Sequence, residues 1–61
     1  MTLDEALKIL ASVREDLYPP IHLGPLLEAA QVLYQRGVTA DQRAGIGEIL
    51  TWTLSVIARN G

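Results

Sequence analysis

The chain has no cysteine and only one histidine, His22, among its 61 residues. The absence of cysteine excludes disulfides and thiolate–zinc sites, and a single histidine excludes a metal site built from several imidazoles. No stretch matches a catalytic or phosphate-binding motif, and no serine lies near His22 in the sequence. We therefore expect a protein that is not an enzyme and that uses no metal or cofactor.

Basic residues are also few. Five Lys and Arg are spread along the chain against seven Asp and Glu, so the net charge is −2. Proteins that bind nucleic acid through its phosphates usually show a clustered basic stripe. The chain shows neither a signal peptide nor an apolar run long enough to span a bilayer. We expect a cytoplasmic protein whose partner is neither nucleic acid nor a membrane.

Apolar residues, in contrast, are plentiful. They make up 49% of the chain, and the mean hydropathy is +0.22. A domain of this length buries only about 60% of the surface that its unfolded chain exposes. Much apolar surface and few charges therefore indicate a partner, either another protein or a second copy of the chain.

Three amphipathic segments predict an all-α fold, a single three-helix domain over residues 1–61 with helices at about 2–17, 25–36 and 40–59. Capping-box spacing marks the first start at Thr2 and the third at Thr39. The pair Pro19-Pro20 should end the first helix, and a second should begin near Gly24 or Pro25. Gly37 should end the second in a left-handed conformation.

The third helix is apolar over an arc of about 200°, whereas contact with one neighbouring helix needs only about 100°. Because helices one and two have broad apolar faces of their own, a surplus remains after the three have packed. We expect this surplus to form a homodimer through helix three or to bind another protein. The residues expected at this interface are Tyr34, Arg43, Ile46, Ile49, Leu50, Trp52, Val56 and Ile57.

Several residues in these helices allow two interpretations. Arg14 falls on the apolar face of helix one, where it either lies along hydrophobic surface or forms an ion pair across an interface, with Glu28 or Glu48. Trp52 and Tyr34 lie at the margins of their apolar faces and serve either in packing or as anchors for a partner. Gly45 and Gly47 lower helix propensity, which is tolerable where another backbone passes close by.

A different function remains open. The segment VLYQRGVTADQRAGIGEIL, within residues 29–50, resembles a helix-turn-helix unit, which would imply a dimeric DNA-binding regulator. The match departs from the pattern at Leu33, where a small residue is usual, and at Arg43, where a buried aliphatic is expected. A third possibility is a structural subunit of a larger assembly, whose isolated chain would be insoluble or loosely folded.

Overall fold

Three α-helices follow one another in the computed structural model, which describes residues 1–60. They are α1 (Leu3–Arg14), α2 (Leu23–Arg36) and α3 (Ala40–Asn60), and the described residues form no strand. The predicted all-α, three-helix fold is confirmed. The connection between α2 and α3 has only three residues, so these two helices are antiparallel neighbours.

The predicted capping box begins α1, but this helix ends three residues earlier than the sequence predicts. The Thr2 hydroxyl accepts a hydrogen bond from the Glu5 amide at 3.2 Å, and the Glu5 carboxylate accepts from the Thr2 amide at 3.1 Å. At the other end Asp16 adopts a left-handed backbone (φ 58°). The amides of Asp16 and Leu17 then donate to the carbonyls of Val13 and Ser12. This Schellman motif, and not the proline pair, ends the helix.

The second helix ends at Arg36, as predicted, but its start and the conformation of Gly37 differ from expectation. The helix begins at Leu23, so Pro25 is its third residue, a position whose missing N–H costs no intrahelical bond. At the other end Gly37 has φ −63° and ψ 131°, which is extended and not left-handed. Glycine is needed here for space, because a Cβ at this position would collide with the Leu33 carbonyl oxygen.

The capping box predicted at Thr39 begins α3. The Thr39 hydroxyl accepts from the Gln42 amide at 3.1 Å, and the Gln42 side-chain oxygen accepts from the Val38 amide at 2.8 Å and the Thr39 amide at 3.4 Å. With 21 residues, α3 is about 31 Å long, which sets the 34 Å length of the molecule. Its predicted start and its end near residue 59 are confirmed.

The core lies between the three helices, with the most extensive contact between α2 and α3. Its largest fully buried side chains are Leu26 and Leu33 from α2 and Ile49 and Val56 from α3. The accessible surface of 4050 Å² is close to the ~3,900 Å² expected for a folded protein of this mass. The exposure of some apolar side chains is therefore not the result of loose packing of the whole chain.

Candidate protein-binding face

Arg14, the last residue of α1, fixes the side of α3 on which α1 docks. Its guanidinium donates to both carboxylate oxygens of Glu48, with Nη2 to Oε2 at 2.6 Å and Nε to Oε1 at 3.0 Å. The same group donates to both carboxylate oxygens of Asp41 at 3.2 Å. Asp41 and Glu48 are two turns apart on one side of α3. Two forked carboxylate pairs of this kind specify geometry as well as charge.

These contacts shift the ionisation of the groups involved. The hydrogen bonds from Arg14 lower the pKa of the Glu48 carboxyl, although nearby Asp41 opposes the effect. The two carboxylates in turn raise the pKa of the Arg14 guanidinium. Since the Arg14 and Glu48 side chains are 34% and 43% exposed, solvent screens the attraction. The main role of this cluster is to orient α1 on α3.

Because α1 lies on the Glu48 side, the broad apolar arc of α3 divides into two parts. Each residue of α3 is rotated by about 100° from the one before it. If positions round the helix are measured from Glu48, the first part of the arc extends from Trp52 to Ile46 and faces the core. It includes Thr53, whose buried hydroxyl donates to the Ile49 carbonyl at 2.9 Å. The second part covers about 80° more and faces solvent. It carries three large side chains, Leu50, Leu54 and Ile57, which are 42%, 67% and 51% exposed.

Two residues of α2 extend this exposed area. The amino group of Met1 lies 3.1 Å from Glu28 Oε1, so α1 runs along the Glu28 side of α2. Leu27 and Tyr34 lie at the opposite margin of the buried face of α2, on the side towards α3, and are 52% and 79% exposed. They border the α2–α3 seam from one side, and the exposed part of α3 borders it from the other. The resulting α2–α3 face consists of Leu27, Tyr34, Leu50, Leu54 and Ile57.

The structure divides seven of the eight residues expected at the interface into three groups. Tyr34, Leu50 and Ile57 lie on the α2–α3 face, and the exposed Arg43 lies on the same side of α3. Ile46 is half-buried and packs against the core. Ile49 and Val56 are only 0% and 2% exposed because their side chains fill the interior between the helices. These last two have no surface left for a partner.

Trp52 does not lie on the α2–α3 face. It packs against the core on the α1 side of α3 and lines an open groove of about 540 Å³ between α1 and α3, together with Val13 and Arg14. Its indole Nε1 is buried and finds no hydrogen-bond partner within residues 1–60. Tyr34 and Trp52 therefore lie on different sides of the molecule and do not form one pair of anchors.

The structure also shows the surroundings of Arg14, Gly45 and Gly47. Arg14 pairs with Glu48 of its own chain and not across an interface, whereas Glu28 pairs with the amino terminus. Gly45 is buried against the Leu10 side chain, so it permits a close approach, although of a side chain and not of a backbone. Gly47 faces open space, and nothing within the chain requires a glycine there.

His22 has a local packing role beside Tyr18. It is exposed, stands immediately before α2, and makes no side-chain capping bond. Its ring lies edge-on to Tyr18 at 6.3 Å, and its carbonyl accepts from the Tyr18 hydroxyl at 2.7 Å. Partial burial raises the pKa of that hydroxyl. The pair holds the connection between α1 and α2 in place.

The segment that resembles a helix-turn-helix offers little to a base edge. Gln42 uses its side-chain oxygen to cap α3, and Leu33 is buried in the core. Arg43 is the one exposed cation in the first turns of α3. Across residues 1–60, none of the helices is both long and apolar enough to cross a membrane. The same residues contain no cluster of three acidic or histidine side chains that could hold a metal ion.

Comparison of the chain with protein-family models, curated proteins and solved structures finds no match. The geometry of the chain itself is therefore the basis for inferring its function. That geometry adds Leu27 and Leu54 to the surface predicted from sequence. Leu54 lies within the broad apolar arc of α3, and Leu27 lies at the edge of the apolar face of α2. Helical periodicity alone does not show which edge stays exposed.

Proposed function

We propose that this chain is a small non-enzymatic regulator or adaptor that acts in the cytoplasm by protein–protein binding through the α2–α3 face, as a homodimer. The observation that carries the proposal is the exposure of five large apolar side chains on the two helices that pack most extensively. Each of the five is at least 42% exposed. Large exposed apolar patches mark interaction sites, whereas isolated exposed apolar residues are ordinary on any protein.

The other large exposed apolar residues show this contrast. Leu17, Ile21 and Val38 are at least 70% exposed, but each lies in a connection between helices and not on a helix. They need no partner to explain them. The α2–α3 face, in contrast, lies on two regular helices, which present its side chains in a fixed arrangement.

A second copy of the chain is the occupant that fits this face best. Arg43 is the only charged residue on the exposed strip of α3, so a pair of such faces would bury little charge. Twofold dimers are the commonest oligomers because one patch serves both subunits. Such a dimer would act sterically, by masking or bridging a surface on its target.

Sedimentation equilibrium of the purified chain and two variants tests this proposal. We expect the unaltered chain to dimerise and Leu54→Glu to weaken the dimer at least about tenfold, because a charge replaces a buried leucine in both copies. Ser55→Glu is the matched control, since it adds the same charge to the next residue, on the groove side of α3. Circular dichroism should show equal helix content in all three. A monomer at every concentration, or equal weakening by both variants, would contradict the proposal.

A dimeric DNA-binding regulator is the second candidate. The exposure of Arg43 in the second turn of α3, just after a three-residue turn, favours it. Under this alternative, Arg43→Ala abolishes retardation of DNA in a gel-shift assay. Under the leading proposal the unaltered chain retards no DNA at physiological salt, and Arg43→Ala changes nothing in this assay.

A further inference from the structure

We propose that α3 pairs antiparallel with α3 of a second copy, through a strip formed by Arg43, Gly47, Leu50, Leu54 and Ile57. This inference depends on the proposed self-association and specifies its geometry. All five residues lie within about 80° on one side of α3, where Gly47 also borders the groove between α1 and α3 and the other four are exposed. We call this set the α3 strip.

The spacing along the α3 strip is the first argument. Successive members are four, three, four and three residues apart, which is the 3.5-residue repeat of helices that pack along their whole length. The core-facing side of α3 does not use this set, because its members are exposed or open to solvent. A repeat of this kind on a free surface fits a long helix as its partner.

Side-chain size favours the antiparallel direction. If Leu50 faces Leu54 of the second copy, then Gly47 faces Ile57 of the second copy, so the smallest side chain of the strip meets a large one. A methyl group added at Gly47 would meet nothing within 4 Å in the single chain, which leaves room for that isoleucine. A parallel pair would instead place glycine opposite glycine and leave a void.

Charge favours the same direction. In an antiparallel pair Arg43, near the start of α3, approaches the carboxyl end of the second α3, where the helix dipole is negative. Arg59, the cation of that last turn, lies about 160° round the helix from the strip. In a parallel pair the two Arg43 side chains would face each other across the seam. Size and charge therefore select one of the two ways in which the strip can meet its own copy.

Disulfide trapping with single-cysteine variants tests the direction, and the chain has no cysteine of its own. Leu50→Cys and Leu54→Cys are oxidised separately and as an equal mixture. Disulfides need Cα atoms within about 7 Å. We expect the mixture to form the cross-linked dimer several-fold faster than either variant alone, because residue 50 faces residue 54. The pair Thr51→Cys and Ser55→Cys is the control, with the same spacing but off the strip.

Each result has a distinct meaning. Fast cross-linking of Leu50→Cys alone and Leu54→Cys alone would show a parallel pair and overturn the inference. The chain could sediment as a dimer that Leu54→Glu weakens and still show no more cross-linking than the control pair. This result would overturn the antiparallel α3–α3 contact but not the proposed function. A chain that stays monomeric in sedimentation would overturn both, since no second copy would then cover the face.

Discussion

The two glycines of α3 provide a direct test of how α1 docks. Gly45 and Gly47 are only two residues apart, but they point about 160° away from each other round the helix. Gly45 is buried against Leu10 of α1, whereas Gly47 faces open space. Replacing each by alanine makes the same chemical change in the same helix, so any difference between the variants reports their surroundings.

The expected magnitudes follow from two opposing effects. Alanine favours a helix over glycine by about 1 kcal/mol at either position. At Gly47 nothing opposes this gain, so the melting temperature should rise by about 4–8 °C. At Gly45 the new Cβ would lie 2.9 Å from Leu10 Cδ1 and 3.2 Å from Cγ. Overpacking costs about 1–3 kcal/mol, and Leu10 is only 2% exposed, so Gly45→Ala should be neutral to destabilising.

Urea denaturation followed by far-ultraviolet circular dichroism measures both variants. The protein concentration should be low enough for the chain to be monomeric, because Gly47 lies on the α3 strip. We expect the slope of the free energy of unfolding against urea concentration to be the same in all variants. The urea midpoints then report differences in stability. Truncating the neighbour with Leu10→Ala should make Gly45→Ala stabilising in that background, because the collision is removed. If Gly45→Ala stabilised the unaltered chain as much as Gly47→Ala, α1 would not pass over Gly45.

Two further predictions concern the end of α1. Asp16→Gly should stabilise the fold by about 0.5–1 kcal/mol in urea denaturation, because glycine adopts the left-handed backbone freely, and Asp16→Ala should not. For the ion pair, the pKa of Glu48 is lowered in the folded state, so its contribution is present above the pKa of an ordinary carboxyl and is lost as the pH falls through the lowered value. Arg14→Gln should therefore flatten the loss of stability below about pH 5, and parallel pH profiles would contradict the assignment.

Local signals predicted the helices well where the sequence supplies specific chemistry. Both capping boxes form as their Thr–Glu and Thr–Gln spacing predicts, so the starts of α1 and α3 were readable in advance. The end of α1 was not, because a left-handed aspartate is far less diagnostic than a left-handed glycine. Gly37 shows the reverse case, since its conformation is ordinary and its need for a hydrogen side chain comes from a nearby carbonyl.

Periodicity predicted the breadth of the apolar arc on α3 but not how it is shared. Ile49, Leu50 and Val56 all belong to that arc, yet only Leu50 remains exposed. The division depends on which side of α3 receives α1, and that is a long-range property. The sequence indicates Arg14 as an ion-pairing residue, with Glu28 or Glu48 as its partner. It does not indicate Asp41, because the contact of Arg14 with this second carboxylate depends on how α1 packs against α3.

The Arg14 cluster and the exposure of the α2–α3 face both follow from the packing of α1 on the Glu48 side of α3. If α1 lay on the opposite side of α3, it would cover Leu50 and Leu54, and Trp52 would be left to solvent. Arg14 opposes that arrangement, because its guanidinium would then have no carboxylate on α3 within reach, and the two acids would lose their cation. The charges contribute little to stability at this exposure, but they favour the observed packing over one with α1 on the opposite side of α3. The exposure of the α2–α3 face therefore depends on a polar cluster on the other side of the same helix.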